Sequence, residues 1–564
     1  MRRQARSARG ALVAALALTI FWSTDAPEAH AQAWISVDQP TSEKIEVKAQ
    51  YRARTIYIDP LDLSGETVRD MSWTEQRLRL DAKFTQPGVG AFVFQADALD
   101  GVLFGDNGKF GQDPSSNAGV SLTSRLPNLT RWEIGLPGEE GENPLDPDSY
   151  VPVLRSADLF QINFAYADIL LPIGILRIGR QPFNYGPGLA AHDGNRFNRF
   201  GVSQYSDSAD RVLFGTKIDE AVKMFTQDNH TLDPSLDNGV ILAAFYDLLK
   251  QDLPQVAGDD LRQVGVAVQA KAAEADWFGF DWTNFIASAN VVHLWNEGFN
   301  TRAFGFPLLL STTINDRVYL RAQYVHTRGS TREVSEGFAA LQGTEPQQQE
   351  VIANGFQGIA DVYIGPVTLT LEFDYASGDS DPRSSNAITT FNFARDLNVG
   401  LLLFEHVIAF ESARSVAVGI ENLASEEDLK SFPITEASTQ GRFTNAIAIF
   451  PQVKVDIMKE EQNEVWVRAG GLFAWPEAGG LIDPIITTLQ ADGDRIDDDA
   501  VNFHGGAPGD YYGTEVDIQL GWKFKKHFEW LIEGAILFPG NSLQDENGDA
   551  VAPFFLENRF VLSF

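Results

Sequence analysis

The sequence predicts an all-β protein: one antiparallel transmembrane β-barrel of about 18 strands, within a range of 16 to 20, of the outer-membrane type. Three observations predict it. Apolar and polar residues alternate with period 2 from Ile45 to the last residue. Short turns take turns with long segments rich in Gly, Asp and Asn. After the first 31 residues no run approaches the roughly 20 apolar residues of a membrane helix. The chain has 564 residues and is 44% hydrophobic, with a mean hydropathy of -0.15. A chain of that kind crosses hydrocarbon only as a closed sheet, because a helix or a closed sheet alone pairs every backbone group there.

Residues 1–31 read as a signal peptide and residues 32–564 as a single barrel domain. Arg2, Arg3, Arg6 and Arg9 form a basic start, Ala11 to Trp22 an apolar stretch too short to cross a bilayer, and Ala29-His30-Ala31 a small-x-small cleavage site. With no cysteine, the chain has no lipid-anchored thiol, disulfide or thiolate chemistry.

The first strand sets Ile45, Val47, Ala49, Tyr51, Ala53 and Tyr57 against Lys44, Glu46, Lys48, Gln50, Arg52 and Arg54. The second opposes Leu78, Leu80, Ala82 and Phe84 to Arg77, Arg79, Asp81 and Lys83. Phe160, Ile162, Phe164 and Tyr166 share a face, as do Val367, Leu369, Leu371, Phe373 and Tyr375, and Val516, Ile518, Leu520, Trp522 and Phe524. The last strand carries Phe554, Leu556, Phe560, Leu562 and Phe564 on one side and Glu557, Arg559 and Ser563 on the other. An apolar face opposite a polar one suits a wall between lipid and a polar interior. The aromatic carboxy-terminus at Phe564 resembles the signal read by barrel-assembly machinery. Strand patterning is weak over 218–239, 301–311 and 413–421, and short helices in external loops account for 333–341 and 421–429.

Tight turns stand at Gln86-Pro87-Gly88, Pro172-Ile173-Gly174, Gly365-Pro366, 459–463 and Lys525-Lys526-His527, whereas 101–157, 182–209, 377–397, 476–510 and 539–552 are long. Short turns on one rim and long loops on the other place the short side in the periplasm and the long side outside. A wall of this size encloses more than its side chains fill, so the interior is either water-filled or occluded by an inserted loop.

The formal charge is -33. Acidic clusters at 139–142, 426–428, 492–499 and 545–549 read as solvated loops, with divalent-cation bridging to lipopolysaccharide as their functional alternative. No segment keeps calcium-loop spacing, so neither a metal nor a cofactor is assigned. Acidity of this size excludes nucleic acid as a partner. The eight histidines are scattered and Gly-x-Ser-x-Gly is absent, so an enzyme is not expected.

Three stretches carry a resemblance. Ile178-Gly179-Arg180-Gln181 with Tyr185-Gly186-Pro187-Gly188, then Tyr375-Ala376-Ser377-Gly378-Asp379, then Phe391-Asn392-Phe393 with Asp396 to Phe404 are similar to elements of porin-like barrels, particularly the alginate-export family. The resemblance implies an 18-stranded barrel with an arginine-rich conduit for an anionic polysaccharide.

From the residues themselves, the pore-lining and solute-binding candidates are Lys48, Arg52, Arg54, Arg77, Arg79, Lys83, Arg177, Arg180, Arg317, Arg321, Glu372 and Asp374. Guanidinium forks lower the barrier for carboxylates and phosphates by bidentate contact. Against this stands a charge lattice in which the same cations pair with Glu46, Asp81, Glu372, Asp374, Glu515 and Asp517; a net basic track is expected on the first two strands. The expected function is an outer-membrane channel for polar or anionic solutes, small solutes or polysaccharides. The alternative is a surface receptor or adhesion barrel with an occluded lumen, acting through its acidic loops. Outer-membrane lipid and lipopolysaccharide are the expected surroundings.

Overall fold

The computed structural model describes residues 43–564 apart from 62, 64, 66–68, 106–157, 184–187, 196–197, 204–206, 228–237, 249–260, 337–344, 380–386, 396, 413–438, 440, 479–489, 492–493, 496–508 and 546. The signal-peptide reading, the acidic clusters at 139–142 and 426–428 and the helix expected over 421–429 fall outside the described residues.

Eighteen strands form one closed antiparallel sheet, a porin-like β-barrel. In chain order they are β1 (Lys44–Asp59), β2 (Met71–Gln86), β3 (Gly90–Gly105), β4 (Asp158–Leu171), β5 (Gly174–Pro182), β6 (Ser208–Lys217), β7 (Gly239–Leu248), β8 (Arg262–Trp277) and β9 (Phe280–Asn296). They continue as β10 (Thr301–Ile314), β11 (Val318–Thr331), β12 (Gln349–Ile364), β13 (Val367–Ala376), β14 (Ala446–Glu460), β15 (Asn463–Pro476), β16 (Gly513–Phe524), β17 (Phe528–Pro539) and β18 (Phe554–Ser563). Each pairs with the next. The seam is β18 on β1, from Gln50 opposite Ser563 to Asp59 opposite Phe554. Phe564 extends it, its N–H donating to the Ala49 carbonyl at 2.8 Å and its carbonyl accepting from the Ala49 N–H at 3.2 Å. The terminal residue thus completes the ladder that leaves no open edge.

The outer face is an apolar belt. Phe84, Leu371 and Phe560 are 44%, 53% and 39% exposed, and Trp522 shares the face of Val516, Ile518 and Leu520. Aromatic rings gather toward the rims: Trp277, Trp282 and Phe285 at the β8–β9 turn, and Trp530 stacked on Phe560 at 6.0 Å. This is the girdle expected where a barrel wall meets the lipid interface.

β4 departs from simple alternation. The β3–β4 register shifts between Gln95 and Ala96, which leaves Asn163 and Phe164 both buried in succession. Phe160 and Ile162 keep the outer face, while Phe164 and Tyr166 turn inward, correcting their expected common face. A bulge of one residue reverses every later side chain on its strand. The reversal brings Tyr166 under the Arg177 guanidinium at 4.4 Å.

The rims differ as expected, with two exceptions. On the long-loop side the β9–β10 connection is a tight turn, 297–300. The β6–β7 connection on the short-turn side carries a helix, α1 (Ile218–Thr226), with Asp219 and Glu220 at its positive end. The weakly patterned 301–311 is continuous strand in β10, and residues 333–336 are helical.

Replacing Leu371, in the middle of β13 on the outer face, with Arg should cost roughly 2 to 4 kcal/mol of barrel stability, read by urea unfolding in lipid vesicles. The same change at Phe84, near the short-turn rim, should cost far less. Equal costs would contradict the belt.

Candidate functional site: the filled lumen

Two segments leave the long-loop rim and fold into the barrel. The first, described at 183, 188–195, 198–203 and 207, follows β5; the second, described at 377–379, 387–395, 397–412, 439 and 441–445, follows β13. Val399–Phe410 is the most apolar stretch after residue 31, and Glu405 and His406 interrupt it. Its residues are buried throughout, inside the barrel rather than in the wall. Leu403–Ile408 is a turn of π-helix. Around it Ile56, Ile58, Trp73 and Phe555 close one side, and Phe443, Leu472, Tyr512 and Leu537 the other. Phe404 meets Phe443 at 4.6 Å and Tyr512 at 6.2 Å. Each buried Leu or Phe contributes about 1.5–3 kcal/mol relative to exposure, so the plug is held in place largely by burial.

A single carboxylate aims the plug. Glu515, fully buried on the inner face of β16, accepts the backbone N–H groups of Leu401, Leu402 and Leu403 at 2.6, 2.9 and 2.6 Å. These donors start the plug's helical turns, where N–H groups have no partner of their own. Gly400 makes the approach possible. Its φ is +77°, and a Cβ there would lie 2.8 Å from both Glu515 Oε1 and Leu472 Cδ2.

The two segments also hold each other. Asn198 Nδ2 donates to Asn398 Oδ1 at 2.6 Å, the Ala394 N–H to the Leu189 carbonyl at 2.8 Å, and His192 Nε2 contacts the Arg395 carbonyl. Asn398 in turn bonds Glu405. The wall grips the first segment at several points. Arg199 pairs with Asp361 at 2.8 Å, the Gly201 N–H donates to Glu533 at 3.1 Å, Gln519 to the Arg199 carbonyl at 3.0 Å, and Leu189 to Gln323 at 3.0 Å. Burial works against the charge of Arg199, but the Asp361 carboxylate outweighs it and holds the guanidinium above its ordinary pKa.

The expected site residues divide into five groups. Arg54, Arg79 and Arg177 face inward and are committed to acids: Arg54 to Glu75 at 2.8 Å and Glu557 at 3.4 Å, Arg79 to both oxygens of Asp97 at 2.7 Å, Arg177 to Asp168 at 2.6 Å. Lys48 and Lys83 sit toward the short-turn rim, opposite Asp81 and Glu46 across the β1–β2 ladder. Register therefore overturns the expected basic track: acids stand beside four of its six cations, Glu46 and Asp81 as the charge lattice expects, Glu75 and Asp97 in addition. Arg52 and Arg77 reach the inserted segment. They face one another directly, are buried, and reach the Ser203 carbonyl of the inserted segment at 3.0 and 3.5 Å.

Glu372, Asp374 and Arg321 also line the interior, tied through Gln357: its amide donates to Glu372 at 3.2 Å and Asp374 at 2.8 Å, and Arg321 donates to its carbonyl at 2.9 Å. Two candidates are corrected. Arg180 shares the outward parity of Ile178 and pairs with Asp210 on the outer face at 3.0 Å. Arg317 lies exposed in the β10–β11 turn rather than in the wall. Sequence reasoning missed Arg211, forked onto Asp247 at 2.6 Å, and Arg559, which bridges Glu533 at 2.9 Å and Glu557 at 3.0 Å. Of these, Arg559 lay on the polar face of the last strand, and that face was the available signal.

Arg52 and Arg77 border a cavity of about 330 Å³. It reaches from Lys523, Lys526 and His527 at the β16–β17 turn up to Asn198 and Ser203 of the inserted segment, with Arg559 in its wall. Glu529 is the acid on its border. The vestibule is thus cationic, and the first inserted segment closes it from above.

Glu515→Gln should loosen the plug, since hydrogen bonds to a charged acceptor contribute about 1.5–3 kcal/mol each. With Ala409→Cys as reporter in a chain that has no cysteine, thiol labelling should quicken about tenfold or more. His406 lies between Trp73 and Phe555, at 6.3 and 5.3 Å between ring centroids. Burial first, and then the Arg54 charge, push its imidazole from the usual 6.5 down to about 3. A seated plug keeps it neutral while a released plug takes up a proton, so seating weakens as pH falls from 6.5 toward 3. Labelling at Ala409→Cys should rise over that window, and His406→Gln should flatten the rise.

No family model matches the chain, and no curated protein matches it. The resemblance to the alginate-export family therefore rests on its three motifs alone. Among solved structures the chain is similar to the outer membrane protein OprD from Pseudomonas aeruginosa, at 12% identity and a TM-score of 0.41, over 94% of this chain and 97% of that one. It is similar to Acinetobacter baumannii OccAB1 at 10% identity and 0.45, over 94% and 100%. It is similar to Pseudomonas aeruginosa OccK2 (OpdF) in complex with glucuronate at 10% and 0.40, over 93% and 98%. The fold itself is fixed by this chain's own eighteen pairings.

Proposed function

We propose that the protein is an outer-membrane channel of the porin type that passes polar or anionic solutes, saccharides among them, through a gated lumen. The observation that carries this reading is the arginine-bordered vestibule inside a closed wall with an apolar outer belt. In a low-dielectric wall, the facing Arg52 and Arg77 guanidiniums concentrate positive potential where a carboxylate or phosphate would first meet the inserted segment. Passage beyond that point requires the plug to yield, and the Glu515 clasp sets how readily it does. The vestibule opens on the short-turn side, which this reading places in the periplasm. The aromatic terminus at Phe564, whose backbone closes the seam, serves as the mark for barrel-assembly machinery.

A second reading, an occluded barrel that acts as a surface receptor through its loops, is favoured by the density of the plug. Planar-bilayer recording separates the two. Wild-type barrels should show low, intermittent conductance with an anion-selective reversal potential, and the Arg52→Gln/Arg77→Gln double variant should lose most of that selectivity. A barrel that stays silent even as Glu515→Gln would remove the channel reading. Selectivity unchanged in the double variant would remove these two arginines from it.

A further inference from the structure

The outer wall of β8 to β11 grades in chemistry from rim to midline. Cross-strand pairing sets Arg262 beside Trp295 and Trp295 beside Arg302 in the outermost row. The next row inward runs Val264, His293, Phe304, Arg328. Below it come Val266 and Val291 on β8–β9 with Phe306 and His326 on β10–β11, then Val268, Ala289, Leu308 and Tyr324. Arg262, Arg302 and Arg328 are all exposed on this face. The rings beneath them are continuous: His293 stacks on Trp295 at 5.4 Å and meets Phe304 at 4.6 Å, and Trp295 meets Tyr246 at 6.2 Å.

Elsewhere along the long-loop rim the outward positions are mostly neutral, with Tyr57, Tyr375, Trp475, Phe538 and Phe554 in them. Arg180 is outward too, but Asp210 holds it. Arg328 has an exposed partner in Glu350 at 3.5 Å, and Glu297 lies in the β9–β10 turn. Arg262 and Arg302 make no ion pair with a described residue. In a chain of net charge -33, two such cations, two strand spacings or roughly 10 Å apart across an indole, are a local reversal of sign.

Resting on the membrane reading above, we propose that this face binds an anionic lipid by its phosphorylated headgroup, with Arg262 and Arg302 on phosphate oxygens and the acyl chains along the valine and leucine rows. Guanidinium forks match phosphate geometry, and rings between charge and hydrocarbon suit the interfacial layer. The cation row sits where the head of an outer-leaflet lipid lies, and the aliphatic rows where its tails lie.

The test uses the whole barrel in detergent with chelator present, so that divalent bridging by acidic loops is silent, titrated with bis-phosphorylated lipid A and read by native mass spectrometry. Wild type should retain lipid A and bind its dephosphorylated form at least about tenfold more weakly. Arg262→Gln/Arg302→Gln should lose about tenfold in affinity, while Arg180→Gln should not. Equal retention of the dephosphorylated lipid, unchanged binding by the double variant, an equal loss in Arg180→Gln, or displacement by millimolar inorganic phosphate would each overturn the site. Vesicle flotation of the same preparations scores the membrane reading separately: barrels that do not insert contradict that reading, whereas inserted barrels that ignore the phosphate contradict only the site.

Discussion

An eighteen-stranded wall encloses more volume than its inward side chains can fill, and that geometric surplus governs the rest of the molecule. Closure of β18 onto β1 satisfies the backbone but creates a wide interior. Water would fill such a space unless the chain supplied its own filling. This chain supplies two segments, one after β5 and one after β13, and the described stretch 397–412 of the second is apolar enough to build a core inside the barrel. The molecule therefore has two apolar surfaces with a polar shell between them: a belt facing outward, and the plug around Phe404 within.

The polar shell reconciles the two. Inward-facing arginines and acids cannot stay buried without partners, because an unpaired buried charge is costly. Arg54, Arg79, Arg177, Arg211 and Arg559 meet acids on their own or neighbouring strands. What remains is directed at the inserted backbone: Arg52 and Arg77 at Ser203, Glu533 at Gly201, Glu515 at three successive amides. The clasp is the most economical of these, since one carboxylate satisfies three donors that begin a helical turn. The vestibule beneath is bordered by Arg52, Arg77, Lys523, Lys526 and Arg559, and two of these arginines contact the Ser203 carbonyl.

Much of the fold was legible in the sequence because strand alternation and turn chemistry are local. Phe84, Leu371 and Phe560 needed only period 2 to be placed on the outer wall. Phe164 and Tyr166 were not legible, because a bulge is decided by pairing with β3 and leaves no mark on the alternation. The site was half legible. Identity as a lumen arginine followed from the polar face, but commitment did not: Arg54 finds Glu75 twenty-one residues away, and Asp97, the partner of Arg79, lies on the strand beyond. Arg180 looked like a wall residue and is one, on the other side. The stretch 399–410 is too short and too interrupted for a membrane helix, and its two interrupting residues are used inside: Glu405 bonds Asn398, and neutral His406 packs between Trp73 and Phe555. The three motifs of resemblance mark the starts of the two inserted segments and the plug itself, so their common property is to shape the lumen.

The account's central claim is that residues 399–410 belong to the barrel's interior core. Hydrogen–deuterium exchange by mass spectrometry on the folded protein tests it most directly. The account predicts that the amides of Leu401, Leu402 and Leu403 exchange as slowly as those of the flanking strands β13 and β14, and that Glu515→Gln speeds them selectively. Exchange at these amides as fast as in exposed loops, with β13 and β14 still protected, would contradict it.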